Sequence, residues 1–194
     1  PLPDELTAEN LPAIQAGAAN LQAHLQILRL FGVPVVVAIN HFPDDHDREI
    51  AAIERIAHDA GAASVAVSTA FRDGGAGAVA LAEAVSNTSK LLPQFRFLYP
   101  DDLPVADKIA TIATKIYGAS DITADSKVRG QIKRLQESGY GHYPVCVAKT
   151  QYSFSTDPQL RGAPSGHVVN VREVRLAAGA EFVVMVCGDI MTMP

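Results

Sequence analysis

Hydrophobic residues follow two different patterns along the first part of the chain. Between residues 11 and 28 they recur every three or four positions, which predicts one apolar face along a helix. Asn10 precedes this helix as an N-cap, and Gly32 follows it as a C-terminal stop. Residues 35–39 are apolar at every position and mostly β-branched, which predicts a strand covered on both faces.

The alternation continues with a second helix and a second strand. Asp44 or Asp45 is expected to cap the helix, and residues 63–68 are predicted to form the strand. A glycine-rich turn at residues 71–77 then leads into a helix over about residues 78–91. Helices that alternate with short apolar strands indicate a parallel α/β unit. The inner face of the second helix is predicted to consist of Ile50, Ile53, Ala57 and Ala60.

The pattern changes at residues 93–100, a proline-bounded segment that is typical of a linker or an extended crossing. Helices are predicted from Pro104 to near Gly118 and over about 124–137, and strands over 144–148, 168–171 and 181–186. Helices followed by strands indicate an α+β unit. The predicted fold is therefore a parallel-sheet, Rossmann-like α/β unit over residues 1–100, followed by a smaller α+β unit over residues 101–194.

Composition narrows the classes of function. The chain has 194 residues, a formal net charge of −5 and no basic stripe, so we expect no nucleic-acid partner. No apolar run approaches the roughly 20 residues of a membrane helix, and no secretory leader is recognisable, so we expect no membrane partner and a cytoplasmic location. Cys146 and Cys187 are expected to be buried free thiols. Because the chain starts at Pro1 rather than Met, we expect a fragment of a longer polypeptide.

Two aromatic residues follow neighbouring predicted strands. Phe42 comes just after the first strand, and Phe71 comes just after the second. In parallel sheets, ligands bind beyond the carboxyl ends of the strands, so both rings are expected to face one crevice. The pair is compatible with a clamp that stacks on both faces of a flat heteroaromatic ring, or with one or both rings filling the core.

Other polar groups give weaker signals. Residues 74–77 precede a helix and suit an anion, although the lysine-containing phosphate-binding pattern is absent from the sequence. His41 and His46 flank two aspartates, and without further ligands a solvated loop is favoured over a metal site. Residues 149–153 and 188–189 follow strands, where ligand contacts and turn formation are equally compatible. Ser153 has no identifiable His and acid partners, so no catalytic residue is assigned. No metal ligand is assigned either.

Several stretches of the chain resemble formate–tetrahydrofolate ligases, and they occur in the same order. The resemblance begins with residues 21–43, which include GVPVVVAIN and Phe42-Pro43, and it continues through Gly74-Gly75 and LAEAV at 81–85. It then includes Phe97-Leu98-Tyr99 with Leu103-Pro104, and residues 109–118. The most specific stretches are AKTQYS at 148–153, VREVRL at 171–176 and GDIMTMP at 188–194.

The resemblance implies an activity and a role for the two rings. The family couples ATP cleavage to the joining of formate and tetrahydrofolate at N10, through enzyme-bound formyl phosphate, with ATP and Mg²⁺ acting together as co-substrate. Phe42 and Phe71 match the aromatic positions that sandwich the pterin ring. The family carries Trp where this chain has Phe71, which implies weaker or altered folate binding because the ring is smaller and lacks an indole N–H.

The resemblance covers only the C-terminal part of the family, without the phosphate-binding loop that lies upstream. We therefore expect that this fragment binds no cofactor tightly and lacks ligase activity by itself. The parent enzyme is expected to form a homo-oligomer. Asn40 is similar to the base-recognising Asn of related nucleotide-binding folds, and Ser68 to the loop that supports it.

Two alternatives to the ligase remain at the level of sequence. One is a non-catalytic interaction or regulatory module on the same fold. The other is a GTPase-like domain, which requires an acidic partner for the base after Asn40, and Asp44 is the nearest candidate.

Overall fold

The computed structural model describes residues 7–188. The chain forms two compact units, Pro1–Arg96 (unit 1) and Phe97–Pro194 (unit 2), and each is described by itself. They confirm the predicted fold class, since a parallel α/β unit is followed by an α+β unit, although the second unit is about as long as the first. No helix within residues 7–188 is long and apolar enough to span a membrane.

Unit 1 alternates helices with two parallel strands. β1 and β2 pair in register from Val36 opposite Ser64 to Asn40 opposite Ser68. The elements of unit 1 are α1 (Leu11–Leu30), β1 (Val36–Asn40), α2 (Asp47–Asp59), β2 (Ser64–Ser68), α3 (Ala70–Asp73), a 3₁₀ turn (Gly74–Ala78) and α4 (Val79–Thr88).

The predicted ends of α1 are confirmed. The Asn10 side chain accepts a hydrogen bond from the Ala13 N–H at 3.0 Å, and Pro12 lies in the first turn. Gly32 follows the helix with φ of 67°, a conformation that favours glycine. A Cβ atom at Gly32 would lie 1.9 Å from the Gln94 carbonyl oxygen, and the Gln94 N–H donates to the Gly32 carbonyl at 2.9 Å. Gly32 therefore lets residue 94 pack directly against the end of α1.

Two expectations for unit 1 are wrong. β1 is not covered on both faces, because Ala38 is exposed and Ile39 is the only residue of this strand that is buried. Asp44 and Asp45 do not cap α2, since His46 occupies the N-cap position without a side-chain cap bond. A continuous apolar run does not reveal how many neighbouring strands and helices are present to cover it.

In the described part of unit 2, residues 97–188, two helices pack against a four-stranded sheet of order β3-β5-β6-β4, in which only β5 and β6 are antiparallel. Its core includes Val105, Ile109, Val128, Val169 and Met185, all fully buried. The elements are α5 (Val105–Lys115), β3 (Asp121–Ala124), α6 (Ser126–Glu137), a 3₁₀ turn (Tyr140–His142), β4 (Val145–Ala148), β5 (Val168–Ala177), a 3₁₀ turn (Ala178–Ala180) and β6 (Phe182–Cys187).

The two thiols of unit 2 differ in environment. Both cysteines are free, as expected, but Cys146 is exposed on the edge strand β4, whereas Cys187 is buried on the central strand β6. The expectation of burial is therefore wrong for Cys146. Burial raises the pKa of the Cys187 thiol to about 12.

A cation also lies in the interior of unit 2. Lys108 is fully buried on α5, and burial lowers the pKa of its ammonium group. Its Nζ donates to the carbonyl oxygens of Asp101 and Gly141, both at 2.7 Å, and of Tyr143 at 3.1 Å. The three donors of the ammonium group therefore each find an acceptor, which offsets the cost of desolvation.

Candidate functional site

Phe42 lies in a tight turn directly after β1. The His41 N–H donates to the Ser68 carbonyl at 2.9 Å, which extends the pairing of β1 with β2 by one residue. The chain then turns through Pro43 and Asp44, and the Asp45 N–H donates to the Phe42 carbonyl at 3.1 Å. Proline suits the second position of such a turn because its ring fixes φ.

Phe71 lies on α3, the single helical turn that follows β2. The N–H groups of Arg72 and Asp73 both donate to the Thr69 carbonyl, at 3.0 and 2.9 Å. The Thr69 N–H donates to the Gly77 carbonyl at 3.0 Å, so the glycine segment folds back onto the start of α3. Of the glycine-rich turn predicted at residues 71–77, residues 71–73 are therefore helical, and residues 74–77 lie in the 3₁₀ turn that follows.

The structure brings the two predicted rings into contact. The ring centroids of Phe42 and Phe71 lie 4.9 Å apart, with an angle of 52° between the planes. Phe42 is 41% exposed and Phe71 is 68% exposed, so neither ring fills the core of unit 1. A flat ligand stacked between two rings requires planes about 7 Å apart, so the rings must separate by about 2 Å to admit one.

An ion pair lies beside Phe71 on α3. Arg72 donates to both carboxylate oxygens of Asp73, each at 2.9 Å. Hydrogen bonds from Arg72 and then from the Thr69 hydroxyl lower the pKa of Asp73 to about 2, and the charge of His41 contributes a smaller lowering. Asp73 is therefore a carboxylate at any physiological pH, and His41 of the β1 turn is close enough to act on it.

Asn40 and Ser68 end the two strands and lie opposite each other in the register. Asn40 is exposed, whereas Ser68 is buried and its carbonyl accepts the His41 N–H. The two residues therefore occupy neighbouring positions at the carboxyl edge of the sheet, beside the aromatic pair. Their role toward a nucleotide base stays a prediction.

The remaining candidates in unit 1 give no further cluster. Within residues 7–188, no three His, Cys, Asp or Glu side chains come together in a way that could hold a metal ion. The Nε2 atom of His46 lies 2.9 Å from the Thr7 carbonyl oxygen, so this ring contacts the chain itself. Anion binding by residues 74–77 stays a prediction.

The polar segment after β4 folds onto itself in unit 2. The Lys149 Nζ donates to the carbonyl oxygens of Thr150, Ser153 and Ser155, and it lies 4.8 Å from the centroid of the Tyr117 ring. Ser153 is buried and its hydroxyl lies 2.9 Å from that of Ser155. These contacts correspond to the turn-forming alternative for residues 149–153. The pair at 188–189 lies partly outside the described residues.

Sequence reasoning missed the role of Asp45. Its Oδ2 accepts the Phe42 N–H at 2.8 Å, in addition to the backbone bond that closes the turn. The sequence predicts a helix cap for an aspartate near the start of α2, because that is the commoner use of aspartate before a helix. The signal that favours the other use is the sequence Phe-Pro-Asp-Asp, in which proline starts a turn and aspartate is available to close it.

The chain is similar over nearly its whole length to formate–tetrahydrofolate ligases. The family model "Formate--tetrahydrofolate ligase" matches residues 2–194. The ligase of Granulibacter bethesdensis is 56% identical over 191 residues, which are 98% of this chain and 33% of that protein. The ligase of Roseobacter denitrificans is 54% identical, with 98% of this chain and 34% of that protein covered. The same coverage holds for the Maricaulis maris ligase, which is 54% identical. The chain spans about a third of the length of the curated relatives it matches.

Proposed function

This chain belongs to the formate–tetrahydrofolate ligase family, and from that premise we propose that it is the folate-binding third of an ATP-dependent ligase that joins formate to tetrahydrofolate. Phe42 and Phe71 stack on the two faces of the pterin ring. The rest of the ligase binds ATP with Mg²⁺ and forms the formyl phosphate intermediate. The formyl group is then transferred to N10 of the folate held against this chain.

One observation carries the proposal. Two exposed phenyl rings, Phe42 and Phe71, lie 4.9 Å apart at the carboxyl edge of a parallel sheet. Exposed aromatic rings are costly in contact with water, and a pair just beyond the carboxyl ends of parallel strands is typical of a site for a flat heteroaromatic ligand. The pterin ring of tetrahydrofolate is such a ligand, and the family supplies the reason to choose it.

The test removes each ring in the intact ligase that carries this segment. Phe42→Ala and Phe71→Ala are each expected to raise the KM for tetrahydrofolate by about tenfold, because stacking contributes on the order of 1–3 kcal/mol per ring face. The KM values for ATP and formate are expected to stay within twofold. Phe182→Ala is the matched control, since Phe182 is also 41% exposed but lies in unit 2. An unchanged KM for tetrahydrofolate in either clamp variant would contradict the proposal.

Phe71→Trp tests the same site in the opposite direction. A larger ring with an indole N–H is expected to lower the KM for tetrahydrofolate, because more stacking area is available. The 194 residues contain no tryptophan, so the difference in indole emission between the Phe71→Trp ligase and its parent reports ligand binding at this position. Indole emission from the Phe71→Trp variant that does not respond to tetrahydrofolate would argue against stacking at this position.

The isolated chain is proposed to be inactive as a ligase. Phosphoryl transfer requires groups that bind the triphosphate and stabilise the developing charge, and the 194 residues contain no G-x-x-x-x-G-K-[ST] pattern. Incubation of the purified chain with ATP, Mg²⁺, formate and tetrahydrofolate is expected to give no product. Turnover above background would contradict this part of the proposal.

Three further expectations belong with this function. Asn40 and Ser68 are proposed to contribute to nucleotide binding from the same sheet edge. The intact ligase is proposed to be a homo-oligomer that works in the cytoplasm. The oligomer is supported by exposed apolar side chains of unit 1, such as Leu92 and Phe95, because surfaces of this kind favour association.

A further inference from the structure

One residue holds both backbone polar groups of Phe42. The Asp45 side chain accepts the Phe42 N–H at 2.8 Å, and the Asp45 N–H donates to the Phe42 carbonyl at 3.1 Å. Pro43 lies between them and restricts the backbone of the turn. The direction of the Phe42 Cα–Cβ bond is therefore set by a small closed ring of hydrogen bonds.

The Phe71 ring has less support at its own position. It is the more exposed of the two rings, at 68%, and it lies on a helix of only four residues. Gly74 follows that helix with φ of 58°, a conformation that side chains other than glycine rarely adopt. Because the rings must separate by about 2 Å to admit a flat ligand, the better-held ring defines the plane on which that ligand stacks.

The Asp45 carboxylate has no competing use at α2. The N-cap position of that helix is His46, whose side chain makes no cap hydrogen bond. The acidic residues of the first turn of α2 are Asp47 and Glu49, so favourable charge at that helix end does not depend on Asp45 alone. The hydrogen bond to the Phe42 N–H is thus the contact that explains an aspartate at position 45.

We infer that Asp45 is a positioning residue for the folate site: its carboxylate holds the Phe42 ring as the fixed wall on which the pterin stacks, while the Phe71 ring moves. This inference rests on the proposed folate function. Asp45 acts through Phe42 and does not itself touch the substrate. A pre-oriented ring binds a ligand more tightly because less conformational freedom is lost when the complex forms.

The first experiment compares three variants of the intact ligase. Asp45→Ala is expected to raise the KM for tetrahydrofolate about fivefold, with kcat within twofold and the KM values for ATP and formate unchanged. Asp45→Asn keeps an oxygen acceptor at the same place and is expected to restore a KM within twofold of the parent. Asp44→Ala is the matched control, because the neighbouring Asp44 makes no hydrogen bond or ion pair within the described part of the chain.

The second experiment is a double-mutant cycle with Phe42→Ala. If Asp45 acts through the ring, Asp45→Ala has no further effect on the KM for tetrahydrofolate once the ring is absent. An additional loss in the Phe42→Ala background would overturn the inference, since Asp45 would then contact the substrate directly. An equal loss in Asp45→Ala and Asp45→Asn would also overturn it, because the charge rather than the hydrogen bond would matter.

The cycle also separates this inference from the function on which it rests. An unchanged KM for tetrahydrofolate in Phe42→Ala would contradict the folate clamp itself. A raised KM for tetrahydrofolate in Phe42→Ala, with an unchanged KM in Asp45→Ala, would contradict only the positioning role of Asp45. If Asp45→Ala reduces the amount of folded ligase, Asp45→Gln, which displaces the acceptor oxygen by one methylene, provides the same comparison.

Discussion

The two units of the chain use their hydrophobic side chains in different ways. Unit 2 fully buries large aliphatic side chains from both helices and from its central strands, with Val105, Ile109 and Met185 among them. In the described part of unit 1, the buried hydrophobic side chains are Leu25, Ile39 and three alanines. The two phenyl rings that follow the strands of unit 1 are exposed. Unit 2 therefore supplies most of the buried apolar surface, and unit 1 presents the exposed rings that we propose contact the folate.

The same contrast applies to charged groups. Lys108 of unit 2 is enclosed and donates to three carbonyl oxygens, whereas Arg72 and Asp73 of unit 1 pair at the surface. An enclosed charge contributes to stability through the groups that it satisfies, because they have no access to water when it is removed. An exposed pair lowers the pKa of its own carboxyl group but contributes little to the stability of the fold.

The largest expected effect comes from Lys108. Lys108→Met keeps the length of the side chain but leaves three carbonyl oxygens without their donor, so the free energy of unfolding is expected to fall by about 3 kcal/mol. Lys115→Met, on the exposed part of the same helix α5, is expected to change it by less than about 0.5 kcal/mol. Urea denaturation followed by circular dichroism measures both. Equal stability of the two variants would contradict the difference between enclosed and exposed charges.

A smaller effect is expected at the glycines beside Phe71. A Cβ atom at Gly77 would lie 2.5 Å from both the carbonyl carbon and the hydroxyl oxygen of Thr69. Gly77→Ala therefore displaces the start of α3 and is expected to cost about 1–3 kcal/mol, with a raised KM for tetrahydrofolate in the intact ligase. Gly75→Ala is the control, because a Cβ there meets no atom within 4 Å. The same result for both variants would show that the contact with Thr69 does not hold α3 in place.

The smallest expected effect concerns the surface ion pairs. Arg72→Ala is expected to raise the pKa of Asp73 from about 2 toward 3.8, because the hydrogen bond from Arg72 is the largest cause of the lowering. Arg175→Ala is the matched variant in unit 2, where the hydrogen bond from Arg175 lowers the pKa of Glu173. Carboxyl NMR titration measures both pKa values, and two parallel increases would show that exposed pairs behave alike in the two units.

The sign of the pH dependence follows from the direction of these shifts. The pKa of Asp73 is lower in the folded chain than in the unfolded chain, so the unfolded state binds more protons as the pH falls below about 4. The contribution of the pair to stability is therefore present above the unfolded pKa of 3.8 and is lost as the pH falls through about 2. A contribution that disappeared at alkaline pH would contradict this assignment.

Much of the fold follows from hydrophobic periodicity. The helix ended by Gly32 and the two parallel strands of unit 1 are predicted because their patterns are long or unbroken. β3 is missed because it is only four residues long, with one large apolar side chain, Ile122. The extension of β5 to Ala177 is missed because Arg172 and Arg175 interrupt its apolar residues on the exposed face.

The site is predictable to the level of strands but not of hydrogen bonds. The expectation that Phe42 and Phe71 share one place follows from the rule that parallel strands end at one edge of a sheet. The contact between the rings, and their tilt, depend on side-chain packing that no sequence pattern encodes. The bond from Phe42 to Asp45 depends on a competition between a turn and a helix cap, and both uses suit the same residue type.

The close approach at Gly32 has a practical consequence for separating the two units. Beyond the Gln94 contact, the Arg96 N–H donates to the Phe31 carbonyl at 3.1 Å, and its guanidinium Nε donates to the Leu30 carbonyl at 2.8 Å. The stretch after α4 thus satisfies the last carbonyl groups of α1, although it has no helix or strand of its own. A truncated polypeptide intended to isolate unit 1 should therefore terminate after Arg96, because one cut at Thr88 would remove the segment that binds the C-terminal carbonyl groups of α1.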